Sequence, residues 1–213
     1  MTTETMTIHR ALSELKILDS RVYSAIEEGV FCLANKHSND KLKGIAVEDY
    51  KKVMIGTYDK ASDLIKRREA IKKAVVLSNA STKVEIAGVE YTVAEAIEMK
   101  NHGVEFKQEL LIAMRKQYRD AQAKILAQNG KDLEDRAEKY VIGLFGSGEK
   151  KTATDEIEKA KKAFIAANEY ELVDPIGVLK KIEALEEEIS SFKAEVDAAL
   201  STSNAITQIT VEY

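Results

Sequence analysis

The sequence predicts a mainly α-helical protein: long antiparallel, coiled-coil-like helices with a small β-hairpin, a C-terminal β-strand and a C-terminal α-hairpin. The 213 residues are 32% charged and only 6% aromatic, with one proline, so few residues would interrupt a helix. Hydrophobic residues recur at heptad spacing over several long stretches, which favours helices packed side by side. Shorter stretches alternate apolar and polar residues, which is the period of a β-strand.

Two long helices are predicted first, at residues 8–35 and 46–77. The polar segment 35–44 between them is typical of a loop joining antiparallel helices. The first apolar seam comprises Ile8, Leu12, Leu15, Val22, Ile26 and Leu33. The second comprises Val47, Tyr50, Met54, Thr57, Ala61, Leu64, Arg68, Ile71 and Val75. Both seams keep a heptad register, so we expect their residues to be inside an antiparallel pair.

A β-hairpin is predicted at about residues 83–93, where the hydrophobic period changes. Two alternating runs flank Ala87-Gly88, and glycine can supply the turn. The residues of this hairpin that we expect to take part in protein interactions are Val84, Ile86, Val89 and Tyr91. Two strands alone are marginal in water, so the hairpin needs a further partner.

The C-terminal tail is the candidate for that partner, because it is rich in β-branched and aromatic residues. Its candidate interaction residues are Ile206, Ile209, Val211 and Tyr213. We expect the tail to add a strand to the hairpin of the same chain or to a neighbouring molecule, and the sequence leaves both open.

The remaining helices are marked by their ends. Thr92 and Glu95 form a capping box that opens a helix from about residue 93 to 128, and Asn129-Gly130 should interrupt it. Further helices are predicted at 133–144, at 154–171 and after Asp174-Pro175, where aspartate can cap and proline fits the first turn. The last helix has an apolar stripe made of Ile182, Leu185, Ile189, Phe192, Val196 and Leu200.

These elements suggest three regions. Residues 1–145 form a long-helix bundle that includes the hairpin, residues 151–203 form an acidic helical hairpin, and residues 204–213 form a strand-like tail. The boundary is placed at the linker 146–151, which contains two glycines and should be flexible and open to proteases. Net charge is −7 over residues 131–213, which is why the C-terminal region is called acidic.

No residue pattern points to catalysis, a cofactor or a metal, and we expect a protein that is not an enzyme. The segment Gly143–Thr152 resembles a phosphate-binding loop, but Glu149 separates the second glycine from the lysine and the preceding segment is helical. The histidines, His9, His37 and His102, are far apart and lack metal-ligand spacing. Cys32, the one cysteine, is expected to be buried and inert.

The partners expected from composition are proteins, either further copies of the chain or other subunits. The basic run Lys66-Arg67-Arg68 with Lys72-Lys73 is interspersed with acidic residues, which favours intramolecular ion pairs over nucleic-acid contacts. No stretch of 18 uncharged apolar residues exists and no secretory signal precedes the first helix, so we expect synthesis in the cytoplasm without a membrane span. No small-molecule substrate is indicated.

Three segments resemble small helical proteins of tailed phages and prophages of Gram-positive bacteria. They are Ile8-His-Arg-Ala-Leu-Ser-Glu-Leu-Lys, the stretch Leu77-Ser-Asn-Ala-Ser-Thr-Lys-Val-Glu-Ile-Ala-Gly-Val-Glu-Tyr-Thr-Val, and Ala199-Leu-Ser-Thr-Ser-Asn-Ala-Ile-Thr. The central part is also similar to a family of bacterial helical-hairpin proteins. The phage resemblance implies a virion component, in the capsid, neck, tail or baseplate, assembled in many copies. The alternative that the sequence leaves open is a soluble coiled-coil adaptor or regulatory protein.

Overall fold

The computed structural model describes residues 2–146 and 154–213, and it groups the chain into two compact units. The first unit is Met1–His102 together with Ser191–Tyr213, and the second is Gly103–Ser190. The fold is mainly α-helical, with small two-stranded antiparallel sheets, as the composition predicts.

Helices α1 (Ile8–Glu27) and α2 (Val47–Ser81) form the antiparallel pair of the first unit. Every residue of the predicted α2 seam, from Val47 to Val75, is buried or half-buried, which confirms that part of the prediction. The α1 seam is shifted by one residue at two places, because Leu12 and Ile26 are exposed. The inner positions of α1 are Ile8, Ala11, Leu15, Leu18, Val22 and Ala25, which keep a regular 3-4 spacing. Alanine at two of these positions leaves room for α2 to approach closely.

The first helix is shorter than predicted, since it ends at Glu27 and not near residue 35. Gly29 follows, and a Cβ at this position would lie 2.4 Å from the Phe31 ring and 2.9 Å from the Ala25 carbonyl oxygen. The chain therefore turns at a residue that only glycine can occupy without rearrangement. The segment that follows contains the small hairpin β2 (Lys41–Leu42) and β3 (Ile45–Ala46), inside the region predicted as loop.

The two ends of the described chain form one antiparallel sheet. Strand β1 (Thr3–Thr7) pairs with β6 (Gln208–Glu212), with Thr3 opposite Glu212 and Thr7 opposite Gln208. The C-terminal strand is therefore confirmed. Its partner is β1, whereas the sequence had left open the β-hairpin or a neighbouring molecule. The last helix also continues to Ile206, into the region 204–213 that was predicted as a strand-like tail.

Strands β4 (Lys83–Ile86) and β5 (Val89–Thr92) form the predicted β-hairpin. Both turn residues, Ala87 (φ 51°) and Gly88 (φ 75°), have positive φ, which matches the strand twist of a two-residue hairpin. The predicted capping box is present, with Thr92 and Glu95 bonded reciprocally, and it opens α3 (Val93–Glu98). A π-helical turn, Met99–Gly103, follows within the stretch that was predicted as continuous α-helix.

The second unit contains α4 (Val104–Asn129), α5 (Lys131–Phe145), α6 (Thr154–Asn168) and the first part of α7 (Val178–Ile206). The predicted interruption at Asn129-Gly130 is confirmed. Asn129 also ties the end of α4 to the loop before α7: its side-chain NH₂ donates to the Tyr170 carbonyl oxygen at 2.6 Å, and its carbonyl oxygen accepts from the Tyr170 N–H at 2.7 Å.

The units divide the chain differently from the predicted regions 1–145 and 151–203. Helix α6 packs on α5, where Tyr140 stacks on Phe164 with 4.7 Å between ring centroids, whereas the sequence analysis paired α6 with α7. Lys161 also donates to Glu138 at 3.0 Å. Most of the predicted linker lies outside the described residues.

Candidate interaction surfaces

The terminal sheet turns one face to the hydrophobic core of the first unit. Met6 from β1 and Ile209 and Val211 from β6 are buried there against α1 and α2, and Ile71 and Val75 of α2 belong to the same cluster. The other face carries polar, exposed or half-exposed residues: Thr3, Thr5, Thr7, Gln208, Thr210 and Glu212. Two of the predicted interaction residues, Ile209 and Val211, therefore stabilise the fold of their own chain.

Arg67 connects α2 to both terminal strands and to α1. Its guanidinium donates to Glu14 at 2.5 Å and to Glu4 at 2.8 Å, and it also donates to the Tyr213 hydroxyl. The hydrogen bond to Glu14, reinforced by Glu4, raises the pKa of Arg67 despite partial desolvation. The neighbouring Arg68 forms an ion pair with Asp19 of α1. These two arginines of the basic run thus form the predicted intramolecular ion pairs.

Tyr213 and Ile206 occupy different environments at the two ends of β6. The Arg67 guanidinium carbon lies 4.6 Å from the centroid of the Tyr213 ring, a cation–π geometry. Backbone hydrogen bonds between Thr2 and Tyr213, at 2.8 and 3.1 Å, close the sheet at this end. Ile206 ends α7 and is 72% exposed.

The four predicted residues of the β-hairpin are also divided between inside and outside. Val84 and Ile86 are buried and Val89 is exposed, while Tyr91 meets Phe192 edge to face with 5.8 Å between ring centroids. Glu195 of α7 accepts a hydrogen bond of 2.7 Å from the Ala87 N–H at the turn. The hairpin therefore packs on α7 of the same unit, and the structure does not bring it together with β6 into one surface.

Exposed apolar side chains on regular helices are the surfaces that the sequence analysis missed. In α4, Phe106 is 73% exposed, Ile112 58% and Leu110 55%. In α2, Ile55 and Tyr58 are exposed to a similar extent. A signal was available for α4, because Phe106 and Leu110 lie off the heptad series of residues 104, 111, 118 and 125. A helical wheel would have placed Phe106 on the far side from this series and Leu110 at its flank.

Cys32 and His102, which were considered for chemistry, lie in different segments of the chain. Cys32 is exposed, which corrects the expectation of a buried thiol: α1 ends before it, so no helical seam carries it inward. His102 lies in the π-helical turn and is exposed. Within residues 2–146 and 154–213, no helix is both long and apolar enough to cross a membrane.

Comparison with known protein families, with curated proteins and with solved structures yields no match.

Proposed function

We propose that this protein is a non-enzymatic structural component of a multi-subunit assembly, and that this assembly is a phage virion. The observation that carries the proposal is the amount of apolar surface on regular helices. Among the described residues, more large apolar side chains are exposed than buried. Exposed apolar side chains that adjoin one another, such as Phe106 and Leu110 four residues apart on α4, are characteristic of surfaces where another macromolecule docks.

The accessible surface area of 15269 Å² supports the same proposal. A compact monomer of 23.7 kDa would expose about 9,800 Å², and two separate globules of half that mass would expose about 12,000 Å² in total. The accessible surface area of the chain exceeds both reference areas, so this excess does not depend on how the two units are arranged. A chain with so much surface gains stability from burial against neighbouring subunits.

The terminal sheet adds a second argument for a role in assembly. It anchors both strands β1 and β6 to the α1–α2 pair by a core cluster and the Arg67 network. A rigid attachment of this kind leaves the outer faces of the helices free to present fixed surfaces. Preorganised surfaces lose little conformational entropy on association.

The direct test is the protein composition of purified phage particles. Prophage is induced in the source bacterium, particles are separated by density-gradient centrifugation, and each protein is quantified by mass spectrometry. We expect the chain to co-purify with the particles in a fixed number of copies. A cytoplasmic bacterial protein of similar abundance is the control for carry-over.

Two results would contradict the proposal. The first is a chain that stays in the soluble fraction while intact particles form. The second is normal yield and infectivity of particles from a strain that lacks the gene. Either result, together with capture of a regulatory protein, would favour the alternative of a soluble adaptor.

A further inference from the structure

Strand β4 has a free edge on the side away from β5. In a hairpin with a two-residue turn, the residues that flank the turn exchange hydrogen bonds, and bonded and non-bonded pairs then alternate along the strands. The backbone groups of Ile86 and Val84 are therefore directed to β5. Those of Lys83 and Glu85 point the opposite way, out of the edge of the hairpin.

Two contacts at the ends of β4 confirm these directions. At the start, the Val93 N–H donates to the Thr82 carbonyl oxygen at 2.8 Å, so the even-numbered residues face β5. At the end, the Ala87 N–H donates to the Glu195 carboxylate of α7 at 2.7 Å, so the odd-numbered residues face the other side. Among the residues that the structure describes, no other element forms a hydrogen bond to the outward backbone groups between these two contacts.

A groove of about 510 Å³ lies between this edge and α7. The side chains that α7 contributes near the middle of β4 are small: Ala194, Ala198, Ala199 and Thr202. The exposed Ile206 borders the same groove. An extended strand can therefore approach β4 without displacing a bulky side chain, and a free strand edge is a template for such pairing.

The solvent face of β4 carries a charge pattern that lacks one partner. Glu85 lies opposite Glu90 of β5, and like charges directly opposite each other destabilise a sheet. The Lys83 ammonium donates to Glu90 at 2.6 Å. Within the described part of the chain, Glu85 has no ion-pair partner of its own. A cation on the free side of Glu85 would therefore stabilise this face.

We propose that β4 pairs in antiparallel orientation with β4 of a second copy of this chain, so that the two hairpins form one continuous sheet. This rests on the proposed assembly role and specifies one of its contacts. The two-fold axis passes beside Val84, which lies opposite Val84 of the second copy. Lys83 then faces Glu85 of the second copy, and the two-fold repeats this pair. Because both residues have outward backbone groups, each pair exchanges both N–H···O bonds.

The other registers of this pairing are less favourable. With the axis at Lys83, two lysines face each other, and with the axis at Glu85, two glutamates do. A shift by one residue sets the outward groups of one strand against groups that the second strand already uses in its own hairpin. The segment Lys-Val-Glu thus complements itself when it is read in the antiparallel direction, which favours a second copy over an unrelated strand.

The contact is short, so its affinity should be low. It buries less surface than a standard interface, and we expect a dissociation constant of roughly ten micromolar. A contact of that strength suits a subunit that associates stably only when many contacts act together.

Sedimentation equilibrium of the full chain tests the proposal through charge reversal. Lys83→Glu and Glu85→Lys each place like charges opposite one another, so each should weaken dimerisation by at least about tenfold. An equimolar mixture of the two single variants should associate about as well as the wild type, because each variant supplies the charge that the other needs. This recovery depends on contact between two chains, and a change within one chain does not produce it.

A proline at the edge tests the backbone hydrogen bonds. Glu85→Pro removes an outward N–H and no hydrogen bond of the hairpin itself, so it should abolish the dimer while the circular dichroism spectrum stays that of the wild type. Glu90→Pro is the matched control. It replaces the glutamate directly opposite, whose N–H points out of the other edge, and it should leave the dimer in place.

Two results would overturn the proposal. The first is a wild-type chain that remains monomeric up to about tenfold above the expected dissociation constant. The second is an equimolar mixture that associates no better than either single variant. Both are separate from failure of the proposed function, which is measured by the presence of the chain in particles. A chain found in particles but monomeric alone would keep the assembly role and refute the pairing of β4 with a second copy.

Discussion

The guanidinium of Arg67, in the middle of α2, lies over the ring of Tyr213, the last residue of the sequence, at 4.6 Å from the ring centroid. The same guanidinium binds Glu4 and Glu14, so a single side chain connects both terminal strands to the helical pair. This relationship explains why the tail belongs to the fold of its own chain.

Replacement of Arg67 by methionine should lower the free energy of unfolding by roughly 1 kcal/mol or more, because two partly buried carboxylates lose their cation. Urea denaturation followed by circular dichroism measures this. Lys66→Met is the matched control, since Lys66 is exposed and has only a 3.6 Å contact with Asp63. Equal midpoints for the two variants would show that the Arg67 network contributes nothing to stability.

Val211→Asp should destabilise the chain by more than about 3 kcal/mol, because it places an unpaired charge in the core. Val211 is 1% exposed. Thr210→Asp changes the adjacent, exposed residue and should alter stability by no more than about 0.5 kcal/mol. Comparing the melting temperatures of both variants distinguishes the buried face of β6 from its exposed face. A Val211→Asp protein that melts like the wild type would mean that the tail does not pack on α1 and α2.

The register of α1 can be tested in the same way. Leu15→Asp should lower the melting temperature by many degrees, and Leu12→Asp should have a small effect, because Leu15 is buried and Leu12 is exposed. Thermal denaturation at constant pH compares them. Equally large losses from both variants would instead support the predicted seam, which places Leu12 and Leu15 inside together.

The capping box should give stability that depends on pH. Hydrogen bonds from the Thr92 N–H, and then from its hydroxyl, lower the pKa of Glu95 below its ordinary value of 4.5. The folded state therefore binds this proton less readily than the unfolded state. The stabilisation from Glu95 is present above the ordinary pKa of 4.5 and is lost as the pH falls through the lower pKa of the folded state.

The measurement is the difference in melting temperature between the wild type and Glu95→Ala. We expect it to be largest near neutral pH and to narrow in acid below about pH 4. Thr92→Ala removes the other half of the box and should cost about 1 kcal/mol at neutral pH. A difference that is the same in acid and at neutral pH would show that ionisation of Glu95 does not matter.

The sequence predicted the elements with strong local patterns. The α2 seam was correct because its heptads continue over many turns, and the β-hairpin was correct because a change of period coincides with Ala87-Gly88. The end of α1 was misplaced because apolar residues continue past Gly29 as far as Leu33. The spacing of apolar residues carries no information about the close approach of the Phe31 ring to Gly29.

The pairing of strands β1 and β6 could not be predicted from the single sequence. Strand β1 has one apolar residue, Met6, so its alternation is hard to recognise, and its partner β6 lies at the other end of the chain. The candidate surface of α4 was missed for another reason: this helix was predicted from its capping box and its end, and Phe106 and Leu110 were not assigned to any face.

The central claim is that the exposed apolar faces are covered in an assembly, and hydroxyl-radical footprinting of free and particle-bound chain tests it most directly. Phe106, Leu110 and Tyr58 report on exposed faces, and the buried Ile71 and Ile86 serve as internal references. We predict that oxidation of Phe106 and Leu110 falls severalfold in the particle-bound chain while the references stay equally low in both samples. Equal oxidation of Phe106, Leu110 and Tyr58 in the two samples would contradict the account.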